Sequence, residues 1–172
     1  MRALPFRERR EWDYNGHTMT SAPLSLPDEA ATQGLGRAIA AALRPGEAVC
    51  LSGPLGAGKS TLARALVRAL TTPDEEVPSP TFTLVQFYEG ARLNVAHFDL
   101  YRLASPDEAY EIGLDEALDD GAAVIEWPER LQGRLPRDRL DVEIALSDIG
   151  EGRVARLAAH GAWEGRAFEF GS

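Results

Sequence analysis

A single lysine stands against seventeen arginines in this 172-residue chain, and its one cysteine, Cys50, lies inside an apolar run. One cysteine excludes an internal disulfide and a cysteine-rich metal site, and it makes a reducing, cytoplasmic setting the default reading. No apolar run approaches the length of a membrane span, and the first residues are charged and aromatic, without the apolar core of a secretory signal. No membrane association is therefore expected. Basic residues number 18 against 27 acidic ones, for a formal net charge of −9. Such a chain is not expected to grip nucleic acid unaided, because neutralising phosphates takes a basic surface. No repeat recurs at a fixed period, and Gly and Pro are scattered. What is present is 44% apolar residues, enough for the core of one compact domain.

Residues 1–24 show neither helical nor strand period and read as a flexible extension, with Met19 as an alternative start; residues 25–172 read as a single domain. Ser25, three residues before Asp28 and with Pro27 between, signals a helix start. Ala30, Leu35, Ile39 and Leu43 give that helix an apolar face, and Pro45-Gly46 stops it. Ala48–Leu51 is a short buried strand, Gly53–Gly58 a glycine-rich turn, and Ser60–Leu70 a second helix. Strands are expected at Thr81–Tyr88 and Leu93–Asp99, a helix from Ser105 to about Leu118, and a buried strand at Ala122–Glu126. Arg139–Leu146 alternates strictly and turns through Gly150 and Gly152 into Arg153–His160. These elements give an α/β fold class, a three-layer sandwich of the P-loop NTPase kind, whose mixed sheet has an antiparallel C-terminal part.

Gly53-Pro54-Leu55-Gly56-Ala57-Gly58-Lys59-Ser60 matches G-x-x-x-x-G-K-[ST] at every fixed position. Glycines let backbone N–H groups converge on phosphate oxygens, and the following helix adds its positive end. Lys59 then reaches the β- and γ-phosphates of a nucleotide, and the Ser60 hydroxyl is placed to ligate Mg²⁺. ATP with Mg²⁺ is the implied ligand pair.

Two acids end apolar strands, Asp99 after Leu93–Phe98 and Glu126 after Ala122–Ile125. In a parallel sheet those ends face the phosphate loop. Either acid can hold Mg²⁺ while the other polarises water, and the sequence leaves that assignment open. Pro78–Thr83 is stiffened by two prolines and carries three hydroxyls; Thr81 reads either as a switch threonine sensing the γ-phosphate or as part of a plain loop entering a strand. His97 is a base or, more simply, a satisfied core residue. Arg102 pairs with phosphate or with the acidic helix. Between Ser105 and Glu129 lie nine acidic residues and no basic one, either a solvated face or a docking surface for a basic partner.

Five blocks in this order resemble the TsaE (YjeE) family, the ATPase of bacterial tRNA threonylcarbamoyladenosine biosynthesis. They are Leu55–Thr61, Ser79–Leu84, His97–Arg102, Gly113–Glu116 and Ile125–Arg130, followed by Leu135–Leu140. The resemblance spans about Ser25 to Leu146. It implies a small ATPase acting with two partner proteins, of the TsaD and TsaB types, that carry out the tRNA chemistry; tRNA would be met through them. It also implies nucleotide contacts from Gly53, Leu55, Gly56, Ala57, Gly58, Lys59, Ser60 and Thr61. Thr81 and Asp99 become switch-side residues, Glu126 the metal-side acid and Trp127 the aromatic beside the nucleotide. Family members often carry Thr where this chain has Ser60. Nothing transfers to residues 1–24.

The rival enzyme reading is a P-loop small-molecule kinase, with Arg134, Arg137 and Arg139 as its lid. A GTPase is disfavoured by the lack of an N-K-x-D-like guanine signature. A third class is an interaction module in which hydrolysis only times binding.

Overall fold

The computed structural model describes residues 2–4, 22–166 and 168–170. In chain order the elements are β1 (Arg2–Leu4), β2 (Leu24–Leu26), α1 (Glu29–Ala42), β3 (Ala48–Ser52), α2 (Lys59–Leu70), β4 (Val85–Tyr88), β5 (Val95–Asp99), α3 (Pro106–Glu111), α4 (Leu114–Asp120), β6 (Ala122–Glu126), β7 (Arg139–Leu146), β8 (Arg153–His160) and β9 (Phe168–Phe170). Seven strands form a mixed sheet in the order β2-β8-β7-β3-β6-β5-β4. β3 runs parallel to both β6 and β7, and β5 parallel to β6, while β4, β8 and β2 pair antiparallel. Arg2–Leu4 and Phe168–Phe170 make a separate antiparallel pair.

Strand alternation divides the core between the two faces of the sheet. Val49 and Leu51 of β3, with Val124 of β6 and Leu140 and Val142 of β7, pack with Leu35 and Ile39 of α1 and Leu62 and Leu66 of α2. Ala48 and Cys50 of the same strand, with Phe98 and Ile125, pack on the opposite face with Ala109 of α3 and Leu114 and Ala117 of α4. The result is a helix–sheet–helix sandwich. Each fully buried leucine or isoleucine in these layers contributes about 1.5–3 kcal/mol relative to exposure. Burial also pushes the Cys50 thiol pKa far up, with Asp141 adding to the effect, so this cysteine is an inert core residue.

Several boundaries differ from the sequence expectation. The N-cap of α1 is Asp28, whose carboxylate accepts from the Ala31 N–H at 2.8 Å; Ser25 lies instead in β2, paired with Val154. Thr81–Thr83 form a turn, so β4 begins only at Val85, and β5 begins at Val95. The expected helix from Ser105 to Leu118 is two helices, because Gly113 takes a left-handed conformation (φ 103°) between them. Most of the 1–24 extension, residues 5–21 with Met19, lies outside the described residues. Among the described residues no helix is long and apolar enough to cross a membrane.

Strand register brings the two strand-end acids together. Leu51, the penultimate residue of β3, pairs with Glu126, and Glu126 pairs with Asp99. Both acids therefore stand side by side at the carboxyl edge of the parallel strands, beside the loop that leaves β3.

A candidate phosphate-binding site

The loop between β3 and α2 turns tightly over β7. At Gly53 φ is 136°, and a Cβ there would stand 2.1 Å from the Ile144 carbonyl oxygen. The Ala57 N–H donates to the Pro54 carbonyl at 3.2 Å, and α2 begins after Gly58 with no side-chain cap. A 12-residue helix starting uncapped at a glycine turn presents free N–H groups and a positive dipole end, the elements of an anion site.

Lys59 is buried. Its Nζ donates to the Gly53 and Pro54 carbonyls and lies 3.7 Å from the Trp127 ring centroid. Burial lowers its pKa, while Glu126, Glu129 and Asp99 pull it back up. Three carboxylates thus favour the charged form of one cation.

Each of the two strand-end acids accepts two hydrogen bonds. The Ser60 hydroxyl donates to Glu126 Oε1 at 3.0 Å, and His97 Nε2 donates to Oε2 at 2.7 Å. The Thr81 hydroxyl donates to Asp99 Oδ2 at 3.2 Å, and the Tyr101 N–H to Oδ1 at 3.0 Å. Ser79 joins this chain through a 2.7 Å contact between its hydroxyl and that of Thr81. The geometry therefore sorts the hydroxyls: Ser60 goes with Glu126, and Thr81 with Asp99. Trp127, in a left-handed conformation (φ 60°), places its ring beside that of Tyr101, with centroids 4.9 Å apart. A non-glycine residue held there stores about 1–2 kcal/mol of strain, a feature that clusters at functional sites.

Of the sequence-selected residues, Lys59, Ser60, Thr81, Asp99, Glu126 and Trp127 converge. Leu55 does not bury anything: it is 74% exposed at the loop tip, and Phe82 is 82% exposed. Arg102 reaches neither phosphate loop nor acidic helix but stacks over Phe82 at 4.6 Å. Arg134 bonds Asp107 at 2.6 Å and Arg139 bonds Asp141 at 3.0 Å, so two of the three lid arginines are already engaged. The acidic stretch is not one surface, since Glu126 is buried in the site while Asp107, Glu111, Asp115, Glu116, Asp119 and Asp120 are exposed on or beside α3 and α4.

Against Gly56, Gly58 and Thr61 opens a cavity of about 630 Å³, whose lining does not include Lys59, Asp99, Glu126 or Trp127. Thr32, Leu146 and Arg153 help to line it, and Arg153 also donates to the Gly56 carbonyl at 3.1 Å. Neither the α1 start nor the β7–β8 hairpin was legible as part of a site; no motif marks them, and only the sheet order brings them there. Among the described residues no three His, Cys, Asp or Glu side chains are grouped to hold a metal by themselves.

Fold and site together define an α/β protein with a mixed seven-stranded sheet, built on a strand–glycine loop–helix unit with two carboxylates at the adjoining strand ends. A sequence model of the TsaE family, described as threonylcarbamoyl adenosine biosynthesis protein, matches residues 26–154. The chain belongs to that family. It is 38% identical to the tRNA threonylcarbamoyladenosine biosynthesis protein TsaE of Rickettsia bellii over 130 residues, covering 76% of this chain and 90% of the relative. The Bacillus subtilis protein of that name is 32% identical over 139 residues, covering 80% and 85%. Among solved structures, the crystal structure of Bacillus subtilis YdiB matches with a TM-score of 0.68 at 26% identity, over 86% of this chain and 93% of that one.

Proposed function

We propose that residues 25–172 form a Mg²⁺-dependent ATPase domain that supports N6-threonylcarbamoyladenosine formation in tRNA, acting with the partner proteins that carry out the transfer. Membership of the TsaE family supports the pathway. The observation that carries the enzymatic reading is the pairing of Ser60 with Glu126 and of Thr81 with Asp99 across the start of α2. A fold that needed only a glycine turn has no use for two hydroxyl–carboxylate pairs at one sheet edge.

In this reading N–H groups of the glycine turn and of the start of α2, with the Lys59 ammonium, bind the phosphates. The cavity against Gly56, Gly58 and Thr61 takes the nucleoside. Ser60 and Glu126, with Asp99 nearby, supply hard oxygen donors in a number that suits Mg²⁺, which takes one or two protein carboxylates and completes its shell with phosphate and water. Bound there, Mg²⁺ would neutralise charge on the phosphate oxygens. Thr81 and Asp99 face the terminal phosphate and orient the attacking water, whose addition breaks the terminal P–O bond and releases ADP and inorganic phosphate. Trp127 packs beside the bound phosphates. The partners are of the TsaD and TsaB types, tRNA is met through them, and the setting is cytoplasmic.

Turnover by the isolated chain should be slow, because among the described residues no arginine bonds Thr81, Asp99 or Glu126; Arg153 donates to the Gly56 carbonyl, and Arg102 and Arg130 lie over Phe82 and Tyr101. The exposed acids of α3 and α4 are the proposed docking surface, so association should weaken with salt. Phosphate release is to be measured for the chain alone, then with the partner proteins across a salt series. Slow release that the partners accelerate supports the proposal. Release that requires a small hydroxylated acceptor would make the protein a kinase.

A further inference from the structure

His97 is nearly inaccessible, at 2% exposure, and its ring forms one hydrogen bond among the described residues, to Glu126. It lies on β5 opposite Val124, and Glu126 is two residues further along β6, so both side chains project from the same face of the sheet. That is the face covered by α2 and hence the face of Ser60. A carboxylate only accepts, so the shared proton sits on His97 Nε2, and Nδ1 is buried without a partner among the described residues. A core histidine kept for packing would be satisfied by any nearby carbonyl. Here the ring's one bond ends on the carboxylate oxygen that Ser60 does not use.

We infer that His97 is a positioning residue for Glu126: it holds Oε2 so that Oε1 stays turned toward Ser60 and the metal side of the phosphate loop. The inference rests on the ATPase reading. A buried carboxylate held by one hydroxyl alone is free to rotate about its own side-chain bonds, and Ser60 alone then fixes its direction. Outer partners of this kind typically carry a 10- to 100-fold effect on metal affinity, about the size expected here.

The test reads Mg²⁺ affinity rather than turnover. The Mg²⁺ concentration that half-saturates the ADP complex is followed by tryptophan emission in the parent chain, His97→Asn, His97→Gln, Glu126→Gln and the His97→Asn/Glu126→Gln double variant. Asparagine puts its amide near the position of Nδ1, short of Glu126, whereas glutamine reaches the position of Nε2. His97→Asn should raise the half-saturating Mg²⁺ by about 10- to 100-fold, and His97→Gln should restore near-parental affinity. In the Glu126→Gln background His97→Asn should add nothing, as a residue that acts only through Glu126 must. Parental affinity in His97→Asn, an equal penalty in both backgrounds, or a His97→Gln as weak as His97→Asn would overturn the inference. If His97→Asn does not melt as a folded protein, His97→Gln decides, with a tenfold loss counting against. A parent chain with no Mg²⁺-dependent nucleotide response would sink the ATPase reading itself, and this inference with it.

Discussion

Replacing Gly53 by alanine brings together two costs that Gly56→Ala separates. At Gly56 φ is 79° and an added Cβ meets nothing within 4 Å; at Gly53 φ is 136° and the Cβ would stand 2.1 Å from the Ile144 carbonyl oxygen. Left-handed backbone costs a non-glycine residue about 1–2 kcal/mol, so Gly56→Ala should lower the melting temperature by about 2–8 °C for a chain of this size. Gly53→Ala carries the same conformational cost and also drives backbone against backbone. Relief requires the end of β3 to leave β7, where Ser52 is paired with Glu143. Strain plus lost pairing puts the total at about 4–5 kcal/mol, or about 8–20 °C. Circular dichroism melts of both variants without nucleotide make the comparison. If Gly53→Ala melts no lower than Gly56→Ala, the close approach to Ile144 is not what fixes the loop.

Trp127 lies against Lys59, so its emission should respond to nucleotide and the response should vanish in Trp127→Phe; Trp163, buried against Arg166, should contribute none. Retention of the full change in that variant would place the reporter elsewhere. Arg166 holds Glu47 through two bonds of 2.6 and 2.7 Å, both side chains buried. Arg166→Met strands the carboxylate and should cost about 3–5 kcal/mol in denaturant unfolding; a loss below about 1 kcal/mol would mean that solvent reaches the pair. Asp99→Asn and Glu126→Gln should each reduce phosphate release about a hundredfold, the scale of one lost transition-state contact, with a smaller effect on nucleotide binding. Parental rates in both would remove the two acids from the chemistry.

What the sequence made legible is what local chemistry dictates. The strand–loop–helix from Ala48 to Leu70, the strands ending in Asp99 and Glu126, and the β7–β8 hairpin arise from apolar period and glycine position, and the structure has all of them. Helix starts were less legible, because Ser25 and Asp28 carry equally good capping chemistry; pairing of Ser25 with Val154, a partner over a hundred residues away, decides between them. The break at Gly113 was hidden because one glycine in an apolar-periodic segment is tolerated in a helix. Within the site, which hydroxyl meets which acid depends on the β5–β6 register and on the turn at Thr81–Thr83, and neither is encoded locally. His97 read as a core residue because burial was legible and its partner was not. Arg153 and Thr32 went unmarked for the same reason: sheet order, not spacing, carries them to the loop.

The most direct test of the central claim, that Gly53–Thr61 binds Mg-ATP, is a melting scan of the parent chain and Lys59→Ala with and without the nucleotide. At a hundredfold excess over Kd a bound ligand adds about 2.7 kcal/mol, so the parent should gain about 5–11 °C. Lys59→Ala should melt near the parent without nucleotide, because burial already disfavours the ammonium charge, and should gain almost nothing with it. An undiminished gain in Lys59→Ala would contradict the assignment of this loop.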